Sequence, residues 1–146
     1  MIVLTHCYPT KDNPTSGIWL HRAFSNHKSI ESIHKISKWG FFNPINYIRD
    51  NILACFVVPA GFIAFLSAKS YILYCIGQEC FWIERYKWFA WFCRPIFWRA
   101  AKVVYHSERV RQCISSAYGD RYDGQVIHTP VSVKEFYPTK DSQYET

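Results

Sequence analysis

Residues 52–68 form a run of seventeen residues that contains no charged side chain. A helix that crosses a membrane needs about 20 mainly apolar residues, and a proline in the middle of a helix is costly. Pro59 and Gly61 lie in the middle of this run. Residues 54–58 have the pattern of a strand, and residues 60–68 have the pattern of a helix. The run therefore predicts a buried strand, a tight turn at the proline and a helix, in preference to a membrane-spanning segment.

Other short apolar segments have the pattern of strands that are buried in a parallel sheet. Helical patterns separate them: residues 18–27 have one apolar face, and a later helix begins at Ser107, a good N-cap residue, and ends near Gly119. This alternation predicts a single Rossmann-like α/β domain, a doubly wound parallel sheet with right-handed crossovers. The additional strand segments are residues 2–5, 33–37, 71–76, 102–105 and 125–128.

The length of 146 residues fits one domain, which we assign to residues 1–138, with residues 139–146 as the start of a linker or tail. The net charge of +6, from 17 Lys and Arg against 11 Asp and Glu, favours anionic partners. Phospholipid surfaces, nucleic acid and phosphorylated substrates all satisfy that preference. The N-terminus lacks the basic region, long apolar run and cleavage site of a signal peptide, so we interpret its short apolar segment as a first strand.

The six cysteines include no Cys-x-x-Cys pair, and several lie inside apolar runs. This pattern indicates buried, reduced thiols rather than a disulfide framework or a zinc site, and it therefore favours a cytoplasmic protein. The six histidines also lack a metal-binding spacing such as His-Glu-x-x-His. We therefore expect neither a bound metal ion nor a cofactor.

Ligands of an open parallel sheet bind beyond the carboxyl ends of its strands, so the residues that follow each predicted strand are candidates. A glycine at a helix start, as in Ser16-Gly17, lets backbone N–H groups approach a phosphate, although a turn glycine explains the same pattern. The fingerprints Gly-x-Gly-x-x-Gly and Gly-x-x-x-x-Gly-Lys-Ser/Thr are absent. The candidates at this edge are Ser16, Gly17, His6, Gly77, Gln78, Glu79, His106 and Ser107.

Glu79 is the carboxylate that closely follows a buried strand and a glycine. In a cleft it would accept hydrogen bonds from a sugar hydroxyl or act as a base. A solvated loop residue is the alternative interpretation, since most glutamates are exposed. The sequence supports no Ser/His/Asp or Cys/His constellation, and we assign no catalytic residue.

Residues 81–99 contain nine aromatic side chains, interleaved with Arg and Lys. A helix of this composition is typical of a bilayer interface, where the rings lie at headgroup depth and the cations meet lipid phosphates. The alternatives are an aromatic core helix with snorkelling cations, and stacking on single-stranded nucleic acid, for which no RNA-binding signature is present. We favour membrane contact, because nine large rings exceed what one face of a domain normally buries. The candidate membrane-contact residues are Trp82, Arg85, Trp88, Trp91, Arg94 and Trp98.

The order of several motifs over residues 1–138 resembles the N-terminal domain of family 4-like glycosyltransferases, in which two Rossmann-like domains face a cleft (the GT-B fold). Leu4-Thr5-His6-Cys7-Tyr8-Pro9 with Ser16-Gly17 is similar to the first strand and glycine loop of that family. Pro59-Ala60-Gly61 resembles its Pro-(Ser/Ala)-Gly helix start, and Ile76-Gly77-Gln78-Glu79 resembles its His-Gly-x-Asp turn, with Ile for His and Glu for Asp. Residues 99–108 and 126–138 resemble its Ser-Glu helix start and its interdomain segment, where Thr-Pro-Val-Ser replaces Asn-Gly-Val-Asp.

The resemblance implies the acceptor-binding half of a sugar-transferring enzyme, with a backbone contact from Ser16-Gly17 to the diphosphate of a nucleotide-sugar donor. Most donor contacts in the family belong to a second domain, so we expect a donor-binding C-terminal domain or subunit as partner. The aromatic segment would suit a lipid-linked or polysaccharide acceptor at the inner face of the cytoplasmic membrane. The alternative function is a non-catalytic membrane-docking or adaptor module that retains only the fold.

Overall fold

A computed structural model describes residues 1–13, 16–24, 27–36, 51–122 and 124–128 of the protein. Within these residues, six strands form one sheet in the order β2-β1-β3-β4-β5-β6, and every neighbouring pair is parallel. The predicted Rossmann-like α/β class is therefore confirmed. The strands are β1 (Ile2–Thr5), β2 (Ser32–Lys35), β3 (Ile52–Cys55), β4 (Tyr71–Cys75), β5 (Lys102–Tyr105) and β6 (Gln125–Val126).

Helices cover both faces of the sheet, but unequally. Successive side chains of a strand point to opposite faces, so each central strand contributes to two separate cores. On one face, Leu20 of the first helix packs with strand residues such as Val3 and Leu53. On the other face, the remaining helices pack on strand residues such as Leu4 and Leu73. The helices are α1 (Ile18–Phe24), α2 (Phe62–Ser67), α3 (Glu79–Arg85), α4 (Lys87–Arg99) and α5 (Glu108–Tyr118).

The central apolar run folds as the strand, turn and helix that its sequence predicts. β3 is followed by a turn at Val57–Gly61, which includes a cis Val58–Pro59 bond, and then by α2. The strand ends earlier than predicted, at Cys55, because Phe56 leaves the sheet with a φ of 80°. Among the described residues, no helix is both long and apolar enough to cross a membrane.

The other elements differ from the sequence prediction mainly at their ends. β2 begins at Ser32 and ends at Lys35, and β4 ends at Cys75 instead of Ile76. β6 is the edge strand beside β5 and ends at Val126 instead of His128. Only residues 126–128 of the predicted interdomain segment (126–138) are described, and the rest of it and the predicted tail (139–146) lie outside the described residues.

The prediction of one continuous helix over residues 81–99 is wrong, because this segment forms two helices. α3 ends at Arg85, Tyr86 adopts an extended conformation (φ −117°, ψ 108°), and α4 begins at Lys87. The two helices pack against different neighbours: α3 contacts α5, while α4 contacts α2. A bend at Tyr86 allows both contacts to form, whereas one straight helix would lose one of them.

α5 begins and ends at the residues that its sequence predicts. The hydroxyl oxygen of Ser107 accepts a hydrogen bond from the backbone N–H of Val110 at 3.3 Å, which is the geometry of an N-cap. At the other end, Gly119 has a φ of 75°, in the left-handed region that favours glycine. The side chain of Ser107 therefore has a structural role that needs no ligand.

Replacing Ser107 by alanine is expected to lower the free energy of unfolding by about 1 kcal/mol, because the Val110 N–H loses its acceptor. Urea denaturation monitored by circular dichroism measures the change. Ser116→Ala is the matched control in the same helix, since the Ser116 hydroxyl only donates to the Cys113 carbonyl. Equal losses in the two variants would mean that Ser107 does not act as a cap.

Candidate functional site

The strand order of the sheet has a switch point between β1 and β3, and we call the space beyond the carboxyl ends of these two strands the crevice. The chain moves from β1 to β2 in one direction, and from β3 to β4 in the other. The loops after β1 and β3 therefore diverge, and this is the point where open α/β sheets bind ligands. His6 follows β1, Phe56 follows β3, and Gly77 lies just after the neighbouring strand β4.

Phe56 is the residue at this crevice that sequence reasoning missed. It is a non-glycine residue with a positive φ of 80°, a conformation that costs free energy and is concentrated at functional sites. Backbone hydrogen bonds to Tyr74 (2.9 Å) and Gly61 (3.0 Å) hold it there. Its ring lies 4.3 Å from the His6 ring and 6.4 Å from the Trp19 ring, measured between centroids. In the sequence, a phenylalanine at the end of an apolar run is indistinguishable from another strand residue.

His6 presents an unused polar atom in this crevice. Its Nδ1 is buried and has no hydrogen-bond partner among the described residues. Burial lowers the pKa of the imidazole below its ordinary value, which favours the neutral ring at neutral pH. A neutral imidazole can donate or accept one hydrogen bond at Nδ1, according to its tautomer. A bound hydroxyl group would satisfy this atom.

Glu79 lies at the start of α3 and is only 8% exposed. Its Oε1 accepts a hydrogen bond from the backbone N–H of Val57 at 3.0 Å, which ties the end of β4 to the turn after β3. Desolvation raises the pKa of this carboxyl, while hydrogen bonds from the backbone of Glu79, Val57 and Gly77 oppose the shift. The interpretation of Glu79 as a solvated loop residue is therefore wrong.

Gly77 is required by the close approach of Glu79. A Cβ atom at position 77 would lie 1.9 Å from Oε2 of Glu79 and 2.6 Å from the ring of Phe56. Any side chain there would displace both neighbours. The glycine in the predicted turn thus packs the buried carboxylate against Phe56, and these residues form one cluster with His6.

Gly17 brings the loop after β1 against the start of α1. Its φ is +64°, and a Cβ atom there would lie 2.3 Å from the carbonyl oxygen of Cys7. The same loop is held by Tyr8, whose hydroxyl is 2.6 Å from Nδ1 of His21 and whose carbonyl accepts from Lys35. Packing alone therefore explains this glycine, and the phosphate contact of Ser16-Gly17 stays a prediction.

The remaining edge candidates lie farther from the crevice. The backbone N–H of His106 donates to the carbonyl of Cys75 at 3.0 Å, which places His106 on the same edge, after β5. Because β5 is the second neighbour of β3, this position is about 10 Å from the crevice. Gln78 is exposed, and Ser107 is occupied in capping α5.

The aromatic residues of α3 and α4 divide between the core and the surface. Phe89 and Phe97 are buried, so the core interpretation is correct for these two. Trp88, Trp91 and Trp98 are 70%, 77% and 70% exposed. Their spacing of three and seven residues places them on one side of α4, and we call these three residues the tryptophan stripe. Trp82 of α3 is 47% exposed.

The cations near the tryptophan stripe are of two kinds. Arg99 donates to the backbone carbonyls of Phe65 and Ala68 and so ties α4 to the end of α2. Arg85 lies over the ring of Tyr86, with 5.4 Å between its Cζ and the ring centroid. Arg94 and Arg121 take part in no hydrogen bond or ion pair within the described part of the chain. Their charges are available to an anion.

The predicted state of the cysteines is confirmed, since all six are free thiols and all except Cys7 are buried. Burial raises the pKa of most of them, for example that of Cys93 to about 12, so they stay protonated at neutral pH. The described residues contain no group of His, Cys, Asp and Glu that could hold a metal ion.

Comparisons with known protein families, with curated proteins and with solved structures return no match for this chain. The topology and the crevice are therefore the basis for any functional statement. Fold alone does not establish activity, so a function must be argued from the crevice and from the exposed surface.

Proposed function

We propose that this chain is the acceptor-binding half of a glycosyltransferase, which works with a separate donor-binding Rossmann-like domain or subunit. The sugar would come from a nucleotide-sugar and pass to a lipid-linked or polysaccharide acceptor. The observation that carries the proposal is the cluster of His6, Phe56, Gly77 and Glu79 at the switch point of the sheet.

The chemistry of this cluster suits a hydroxylated ligand. The unpartnered Nδ1 of His6 and the desolvated carboxylate of Glu79 are groups that bind hydroxyls or move a proton from one. The Phe56 ring packs beside that of His6 and is only 8% exposed, so it supports the His6 ring from below instead of meeting the ligand itself. The raised pKa of Glu79 brings its titration closer to neutral pH, where a general base is most effective.

The surface of α3 and α4 supports a location for this activity at a membrane. Exposed tryptophans flanked by cations favour the lipid interface, where the indole ring meets both acyl chains and headgroups. We therefore propose peripheral binding at the inner face of the cytoplasmic membrane. No nucleic acid enters this proposal.

The proposal is tested by purifying the tagged chain natively and assaying the associated complex for sugar transfer from a mixture of labelled nucleotide-sugars. We expect label in the lipid or polysaccharide fraction from the complex and none from the isolated chain. His6→Ala and Glu79→Gln should each reduce transfer about a hundredfold, because general acid–base groups contribute on that scale. Ser116→Ala serves as the control.

Two results would contradict the half-enzyme proposal. One is full transfer activity in both the His6 and the Glu79 variants. The other is tight binding of a nucleotide-sugar to the isolated chain in calorimetry, because the donor site is assigned to the partner. A membrane-docking adaptor is the second candidate function, favoured by the exposed tryptophan stripe, and it predicts vesicle binding without any sugar transfer.

A further inference from the structure

Two adjoining grooves lie on the outer side of α4, away from the crevice at the carboxyl edge. The first has a volume of about 440 Å³ and is walled mainly by rings, including Phe62, Phe92 and Trp98. The second has a volume of about 430 Å³ and is lined by the chain around Ala100–Val103 and by Gln125. Both grooves are bordered by Trp98, Arg121 and Tyr122, so they form one continuous depression.

The two grooves differ in chemistry. The aromatic groove is apolar except for the guanidinium groups of Arg94 and Arg121 at its border. The second groove is mostly polar and includes Lys102. Arg121 borders both, is exposed, and has no hydrogen-bond or ion-pair partner among the residues that the structure describes. An apolar compartment joined to a polar one through an unpaired cation is complementary to an anionic amphiphile.

We propose that this depression binds one anionic phospholipid from the membrane, with an acyl chain in the aromatic groove and the phosphate at Arg121. Arg121 suits this task because its planar guanidinium can donate two parallel hydrogen bonds to phosphate oxygens. A volume near 440 Å³ lies within the usual range for small-molecule sites. The inference rests on the membrane contact proposed above, since Trp91 and Trp98 belong to both the tryptophan stripe and the groove.

Binding of a lipid at this site differs from general adsorption of the protein to a charged bilayer. Adsorption depends on the sum of the cations near the surface, and any exposed arginine contributes about equally. A discrete site depends on Arg121 in particular, and it also accepts a lipid monomer in the absence of a bilayer. Short-chain lipids below their aggregation limit therefore separate the two cases.

The test is calorimetric titration of the full chain with monomeric dihexanoyl phosphatidylglycerol. We expect saturable binding of one lipid and an affinity about tenfold lower in Arg121→Gln, because a charge-assisted contact to phosphate is lost. Arg109→Gln removes the same charge from an exposed arginine of α5 that pairs with Glu84 and lines neither groove, and it should bind as the wild type does. Unfolding curves of both variants check that the fold is retained.

Further titrations identify which part of the lipid the site recognises. Dihexanoyl phosphatidylcholine should bind more weakly than phosphatidylglycerol, and inorganic phosphate should fail to displace the lipid. Lengthening the acyl chains should strengthen binding by about fourfold for each methylene group that the groove buries. Three results would each overturn the proposal: equal losses of affinity in the Arg121 and Arg109 variants, an affinity that does not depend on chain length, or displacement of the lipid by phosphate alone. These assays are independent of sugar transfer, so its absence would leave them unchanged.

Discussion

Replacing Trp88 and Trp91 together by serine is expected to weaken binding to vesicles of phosphatidylcholine and phosphatidylglycerol by more than a hundredfold. Both rings are at least 70% exposed, and they lie on the side of α4 opposite its buried residues. A tryptophan that inserts its exposed half removes about 100 Å² of apolar surface from water, which corresponds to about 2.5 kcal/mol. The loss of binding free energy from both tryptophans therefore exceeds the loss from removing any one exposed cation, which is about 1 kcal/mol.

The fold should tolerate both substitutions, because neither ring belongs to the buried core. Circular dichroism and the thermal midpoint check this. Ile127→Ser is the matched control, since Ile127 is 45% exposed but follows β6, beside the groove that α1 borders. Sedimentation with vesicles measures binding of all three proteins. Undiminished sedimentation of the double variant would exclude the tryptophan stripe as the membrane contact, while a similar loss in Ile127→Ser would indicate non-specific hydrophobic adsorption.

The fold was predictable because its signals are local and mutually consistent. The uncharged run with Pro59 and Gly61 has one compact solution in an α/β domain, namely a buried strand, a turn and a helix, and the structure has this arrangement. The cap at Ser107 and the left-handed Gly119 are equally local. The break at Tyr86 was not predictable, because it depends on α3 and α4 packing against different helices, which is a tertiary effect.

The candidate site was predictable in position but not in chemistry. The rule for parallel sheets selected His6, Gly77 and Glu79, and the structure places all three at the carboxyl edge of the sheet. It did not select Phe56, because a positive φ leaves no trace in the identity of a phenylalanine. It also left the state of Glu79 open, since burial depends on the turn at Val57–Gly61 closing over its carboxylate.

Glu79→Ala is expected to lower the free energy of unfolding by about 2 kcal/mol, because the N–H of Val57 loses its acceptor in a buried location. Glu79→Gln keeps the side-chain volume and one acceptor oxygen for the N–H of Val57, while its amide nitrogen cannot accept from the backbone of Gly77 or Glu79. Comparison of the two variants by urea denaturation at one pH therefore measures what the acceptor oxygen and the buried side-chain volume contribute together. A loss in Glu79→Gln as large as that in Glu79→Ala would show that the ionised carboxylate, and not an acceptor alone, is needed at this position.

The pH dependence of the stability of Glu79→Gln, compared with wild type, tests whether the charge of Glu79 is buried. The unfolded carboxyl ionises near pH 4.5, and the folded one at higher pH because desolvation raises its pKa. Between these two values the folded state binds more protons, so wild-type stability falls as pH rises, and the deficit persists above the folded pKa. Glu79→Gln has no ionisable carboxyl at this position and therefore loses no stability in this way. Its stability relative to wild type should therefore grow from pH 4.5 upward and then level off.

Other titrating groups near Glu79 do not obscure this difference. The neighbouring thiols Cys7, Cys80 and Cys93 have pKa values raised by their surroundings, so they stay neutral through the relevant range. His6 contributes in the opposite direction, since its lowered pKa makes the folded state lose stability as pH falls below 6.5, but wild type and variant share this contribution. If the difference in unfolding free energy between Glu79→Gln and wild type does not change with pH, then Glu79 ionises as it would in water. A rising curve would mean that the fold keeps a destabilising carboxylate at its switch point, as a proton-transferring site requires.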